Sequence, residues 1–113
     1  MISKNTYIEM KVFDLFSVFY YRAQKINAQV NFSTTTLTMN KDGKYLSASF
    51  MQVEQNIVNR KSIGYVDLKA PGINIKMYLT EDFEWVINID NRMIKKVTST
   101  EVDYIFYKVY GYL

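Results

Sequence analysis

Asp42-Gly43 lies between two runs in which apolar and polar residues alternate, and no other feature restricts the chain as much. A type I′ turn needs positive φ at both central residues, which glycine adopts freely and aspartate tolerates, so the two runs fold back as an antiparallel hairpin. Counting outward from the turn sets a register. Met39 faces Leu46, Leu37 faces Ala48 and Thr35 faces Phe50 on one side, while Asn40 faces Tyr45, Thr38 faces Ser47 and Thr36 faces Ser49 on the other. A slip of one residue would turn the apolar set into water, so the register is well specified. Any fold open to this chain therefore contains a sheet with one apolar face and one hydroxyl-rich face.

Upstream, Ile8, Met10 and Val12 alternate with Glu9 and Lys11, which predicts a first strand over Thr6 to Phe13. Asp14 suits the free amides of a first helical turn, and Leu15, Phe19, Ala23 and Ile26 follow at helical spacing, broadened by Phe16 and Tyr20. Arg22 and Lys25 fall in the last turn of that helix, and Asn27 suits the left-handed conformation that stops it. Val30 and Phe32 have the opposite parity to Leu37 and Met39, so a bulge or bend is expected near Ser33 to Thr35.

Downstream, Phe50 to Asn59 fits two patterns. Ser49 and Gln52 resemble a capping box ahead of Phe50, Val53 and Ile57, while Met51 and Val53 continue a strand, and a short helix or irregular stretch is the favoured reading. After a turn over Asn59 to Ser62, pairing across Pro71-Gly72 sets Leu68 against Ile75, Val66 against Met77, Asp67 against Lys76 and Tyr65 against Tyr78. A type II turn splays tight hairpins, so a longer loop in the same register stays open as an alternative. Phe83, Trp85, Ile87 and Ile89 form another one-sided strand, and Asp90-Asn91 leads into Met93 to Val97. Thr98 and Glu101 fit a capping box ahead of a stripe of Val102, Ile105, Phe106, Val109 and Leu113, which predicts a C-terminal helix. The expected class is α+β: a strongly curled, mostly antiparallel sheet or partly open small β-barrel, with one helix after the first strand and one at the C-terminus.

Composition narrows the function. The 113 residues suit a single domain, and 49% hydrophobic with 22% charged residues is an ordinary globular mixture. With no histidine and no cysteine, imidazole bases, thiol nucleophiles and the common zinc ligand sets are excluded. Phosphate-binding glycine loops and a nucleophile elbow are also missing, so no enzyme and no cofactor are expected. Glu81, Asp82 and Glu84 crowd one turn but lack the ligand spacing and central glycine of a calcium loop, and they read as a solvated turn with no metal. Absence of cysteine removes any need for an oxidising compartment. The apolar cluster from Val12 to Tyr21 is broken by Asp14 and Ser17 and has no cleavage site after it, and no run is long enough to span a bilayer. A cytoplasmic protein without a membrane partner is expected.

Two binding surfaces remain. Arg60, Lys61, Lys69, Lys76, Arg92, Lys95 and Lys96 fall in the middle and late hairpins, with Tyr65 and Tyr78 on outward faces beside Thr36, Thr38, Ser47 and Ser49. Cations that neutralise phosphates, together with rings on which bases stack, are what single-stranded nucleic acid needs from a small β-domain. On the C-terminal helix, Tyr104, Tyr107 and Lys108 lie off the apolar stripe, with Tyr110 and Tyr112 at its edges, an excess of aromatic area suited to a protein partner or a second copy.

Richness in Ile, Lys, Asn and Tyr with little Gly or Pro resembles proteins of AT-rich genomes. In style the chain resembles the small accessory regulators and inhibitors carried by plasmids and phages of low-GC bacteria, such as PrgU-like RNA-binding regulators and anti-CRISPR inhibitors. The resemblance covers no motif and carries over no residues. It implies a non-enzymatic regulatory protein that binds RNA or a nucleoprotein complex, the alternative being a protein-interaction module or inhibitor, homodimer included.

Overall fold

The computed structural model describes residues 3–89 and 92–111. Helix α1 (Lys4–Lys25) starts at Ser3, whose hydroxyl accepts from the Thr6 amide, and ends where Asn27 takes a φ of 58°. Its first half occupies the segment expected to be a strand. The reason is a coincidence of periods: Ile8 and Val12 sit two alternations apart, but they are also i and i+4 on a helix. Ile8, Val12, Leu15, Phe16, Phe19 and Ala23 are all buried on one stripe, whereas Met10, which alternation grouped with Ile8 and Val12, is 48% exposed. Asp14 is thus mid-helix and exposed, and no strand precedes α1 among the described residues.

Among the described residues eight strands follow: β1 (Gln29–Phe32), β2 (Thr36–Lys41), β3 (Lys44–Met51), β4 (Gln55–Ile57), β5 (Arg60–Ala70), β6 (Ile73–Thr80), β7 (Trp85–Ile89) and β8 (Met93–Lys96). They form one antiparallel sheet in the order β1-β2-β3-β5-β6-β7-β8, with β4 paired to the start of β5. The β2–β3 hairpin has the register counted from Asp42-Gly43, and the φ angles of these residues are 55° and 79°, as a type I′ turn requires. The Phe50 amide donates to the Thr35 carbonyl, extending the same pairing. The β5–β6 register also follows the expected pairs, and its loop is only Pro71-Gly72, because Ala70 pairs directly with Ile73.

Three expectations change. The phase break near Ser33 is a complete reversal, since β1 pairs antiparallel with β2 and Val30 lies opposite Met39. Of the short helix or irregular stretch expected over residues 50–59, no helix forms and only 52–54 are irregular: β3 runs on to Met51, and β4 then pairs with β5 through a turn at Val58-Asn59, earlier than the basic turn expected. Among the described residues the sheet is open, because β1 and β8 lie at the two ends of the path and do not pair with each other. The phase break near Ser33 that suggested a curled sheet or barrel is one hairpin turn, and the sheet's register shift lies elsewhere, between Ser62 and Gly64. What remains is α+β with an N-terminal helix, an antiparallel sheet and a C-terminal helix.

That last helix, α2 (Ser99–Tyr110), has the expected capping box: the Thr98 hydroxyl accepts from Thr100 and the Glu101 carboxylate accepts from the Thr98 amide at 2.6 Å. Gly111, at φ 77°, closes it. Asp90, Asn91, Tyr112 and Leu113, which the sequence pattern places in a turn and along this helix, lie outside the described residues. Both helices pack on one face of the sheet, since Val12, Phe16, Phe19, Val102, Ile105 and Phe106 share a single cluster with Leu37, Met39, Leu46, Ala48, Val66, Leu68, Met77 and Leu79. Burying a Leu, Met or Phe side chain stabilises by about 1.5–3 kcal/mol, which fixes this face as the core. An Arg22–Asp103 ion pair and the Phe19–Phe106 rings at 5.9 Å tie the two helices together. Among the described residues no helix is long and apolar enough to cross a membrane.

Candidate nucleic-acid interface

Period-2 alternation means that a strand whose odd members enter the core presents its even members to the other side. Both helices lie on the core face, so the opposite face is built wholly from sheet residues, and the register arranges them in rows across the strands. One row is Met51, Tyr65, Tyr78, Val86 and Lys96, of which Met51 and Lys96 are exposed, Tyr65 and Tyr78 half-buried and Val86 buried. The next is Thr36, Ser49, Asp67 and Lys76, and beyond it come Thr38, Ser47, Lys69 and Asn74.

The Tyr65 and Tyr78 rings, opposite each other on β5 and β6, lie 5.9 Å apart. The Lys76 ammonium sits 5.1 Å from the centre of the Tyr65 ring, within cation–π range, so the cation and both rings form one cluster. Lys69 and Lys96 extend from neighbouring rows with exposed side chains, Lys69 at 3.7 Å from Asp67 and Lys96 at 3.9 Å from Glu84. Asp67 is the acidic residue between these cations, and its Oδ1 is buried without a hydrogen-bond partner. An unsatisfied buried acceptor is costly.

Of the basic residues nominated from sequence, Lys69, Lys76 and Lys96 share this face with Tyr65 and Tyr78. The others are placed elsewhere. Arg60 stands at the start of β5 and donates to Thr80, Asp82 and Glu84 at 3.1, 3.1 and 3.3 Å, fastening the β4–β5 turn to the β6–β7 turn. Its charge is thereby matched by two carboxylates of the acidic turn, and among the described residues no cluster of carboxylates is arranged to hold a metal. Lys61 pairs with Glu54 at 3.7 Å. Lys95 is opposite Ile87 on the helix side of the sheet and donates to Glu101 at 3.0 Å. Arg92 is exposed in the turn before β8. On α2, Tyr104, Tyr107 and Lys108 are exposed, whereas Tyr110 is buried against Phe106. Burial pushes the Tyr110 hydroxyl up to about 12, and its oxygen has no hydrogen-bond partner.

Tyr45 and Met51 on the open face were not nominated, although both are about half exposed. The signal for Tyr45 was already in the hairpin register, which places it beside Ser47. A second exposed apolar surface, formed by Tyr7, Met10, Phe13 and Tyr21 along α1, was hidden by reading that segment as a strand. Compared with protein-family models, with curated proteins and with solved structures, the chain finds no match.

Proposed function

We propose that the protein is a non-enzymatic RNA-binding regulator that takes up single-stranded RNA on the open face of its sheet. The observation that carries this reading is the Tyr65–Tyr78–Lys76 cluster on a face that neither helix covers. Unstacked bases lie on aromatic rings with little regard to sequence, and lysines around the rings neutralise the phosphates between them. A broad sheet favours single strands, because a duplex hides the ring faces of its bases. Asp67 favours RNA over a bare polyanion: it repels phosphate but accepts from a 2′-hydroxyl or an exocyclic amine. A cytoplasmic accessory regulator, of the kind mobile elements carry, is the setting this activity suits.

The test is the affinity for a short single-stranded RNA, followed by fluorescence anisotropy at stepped salt. Replacing Lys69, Lys76 and Lys96 by alanine should flatten the dependence of log affinity on log salt by about 0.7 for each phosphate no longer neutralised. Tyr65→Ala or Tyr78→Ala should weaken binding by about 1–3 kcal/mol per stack with a nearly unchanged slope. Absence of binding at low salt, or a triple variant indistinguishable from the parent, refutes the reading. The exposed α1 residues Tyr7, Met10, Phe13 and Tyr21, with Tyr104 and Tyr107 on α2, support a second reading as a protein-interaction module or homodimer. That reading predicts an RNA-independent complex that charge replacements at Tyr21 and Tyr107 abolish.

A further inference from the structure

Strand β6 pairs with β5 from Ile73 to Thr80, but on its other edge it pairs with β7 only at Tyr78–Val86 and Leu79–Trp85. Continued, that register would place Met77, Lys76 and Ile75 opposite Ile87, Asn88 and Ile89. Those pairs do not form, while β7 stays paired with β8 along the same residues. The β7–β8 hairpin therefore diverges from β6, and the wedge between them holds a cavity of about 450 Å³. Ile75, Met77, Ile87 and Ile105 of α2 make its apolar wall, and Asn74, Lys76 and Asn88 stand around it on the strand positions of the open face.

Backbone direction adds polarity to this slot. The Thr80 amide donates to the Glu84 carbonyl, towards β7. In an antiparallel strand every second residue turns both its amide and its carbonyl to the same side, so Tyr78, Lys76 and Asn74 direct theirs towards β7 as well. Tyr78 meets Val86, but beyond it the ladder has stopped, and the amide and carbonyl of Lys76 and Asn74 face the cleft. The slot thus offers apolar walls and a donor–acceptor edge, which matches a flat heterocycle with a hydrogen-bonding rim. Its volume lies within the roughly 300–1,000 Å³ of pockets that enclose small molecules. Glu101 also lines it: burial alone would raise its carboxyl, but the Thr98 amide, Lys95 and the Thr98 hydroxyl outweigh that and hold it below its ordinary value. An anionic carboxylate at the wall turns away a phosphate and leaves the neutral base as the part that enters.

We propose that the β6–β7 cleft receives one unstacked base of the RNA strand lying on the open face, with Lys76 shared between cleft and face. This rests on the RNA reading above. It makes the tyrosine pair the site of unspecific stacking and the cleft the place where one base is chosen by its hydrogen-bonding edge.

The full isotope-labelled chain is titrated with a short single-stranded RNA and, separately, with the uncharged nucleosides adenosine, guanosine, cytidine and uridine at millimolar concentration, following backbone amide resonances. The amides of Asn74, Lys76 and Asn88 should shift with the RNA and with at least one nucleoside. Asn74 is exposed, so Asn74→Trp can lay its ring over the cleft without disturbing the core; it should lower RNA affinity about tenfold, near the low end of what one bound base contributes, and leave the salt slope unchanged. If RNA binds through Tyr65 and Tyr78 while no nucleoside moves the cleft amides and Asn74→Trp binds like the parent, the cleft is overturned and the RNA reading stands. If RNA does not bind, both fall.

Discussion

Gly64 should not tolerate a methyl group. It follows the register shift in β5, and its φ is outside the left-handed region, so alanine meets no backbone obstacle there. The obstacle is space: a Cβ would lie 2.5 and 2.8 Å from two carbons of the Phe50 ring and 2.9 Å from the Met51 carbonyl oxygen. The ring has little room to retreat, because it already meets the Trp85 ring edge-on at 6.2 Å, and the carbonyl belongs to β3 where Met51 pairs with Tyr65. Overpacking of this kind costs about 1–3 kcal/mol. Alanine also restricts the unfolded chain, which offsets about 0.4–1 kcal/mol. Gly64→Ala is therefore expected to lose about 1.3 kcal/mol, the difference of those two ranges at their centres. Urea unfolding followed by Trp85 fluorescence measures it, since Trp85 is the single tryptophan and touches Phe50. A double-mutant cycle with Phe50→Leu isolates the ring: removing it should recover at least about 0.5 kcal/mol of the loss as coupling. A Gly64→Ala midpoint equal to that of the parent, or strict additivity in the cycle, refutes the steric argument.

The α2 capping box should behave as a stability element. Thr98→Ala is expected to lower unfolding free energy by about 1 kcal/mol, read from the same urea curves. The Glu101 carboxyl is held below its ordinary value of 4.5, so its contribution is present above that pH and is lost as pH falls through the lower folded value; Glu101→Gln should remove that part of the acid sensitivity. Tyr110 works in the opposite direction. With its hydroxyl raised from 10.0 to about 12, the fold favours the neutral phenol, so stability present below pH 10 declines between 10 and 12. Tyr110→Phe should abolish that decline and leave neutral-pH stability unchanged or higher by about 1 kcal/mol, because the oxygen it removes is buried without a partner.

Local signals were legible wherever a short motif fixed its own geometry. Asp42-Gly43 and Pro71-Gly72 each placed a turn and, through alternation, every residue pair that leads away from it. Thr98 and Glu101 placed the start of α2 for the same reason: both halves of the motif lie within one helical turn. The N-terminal segment misled because three residues are too few to separate periods of 2 and 3.6. The longer series from Ile8 to Ala23 separates them, but only if the helix is extended backwards past Asp14, and Ser3 supplies the cap that allows it. The Val58-Asn59 turn had no chemical mark: Val58 takes a φ of 54°, a conformation that a β-branched residue does not advertise. There the pairing of β4 with β5 overrides local preference.

The site divides along the same line. Tyr65, Tyr78 and Lys76 were legible as outward-facing because parity from Pro71-Gly72 fixed them, and their meeting is a cross-strand consequence of that register. The fate of Arg60, Lys61 and Lys95 was not legible, because their carboxylate partners come from other elements and sequence records only that the cations exist. Least legible was the divergence of β7 from β6, since it is the absence of pairing between segments that each read as ordinary strands. That absence sits beside the aromatic cluster, where Lys76 belongs both to the face and to the cleft. A sheet fully zipped from Tyr78 to Asn74 would have an open face but no slot, and could stack bases without choosing among them. The structural feature that sequence shows least is therefore the one on which any selectivity of the proposed interface depends.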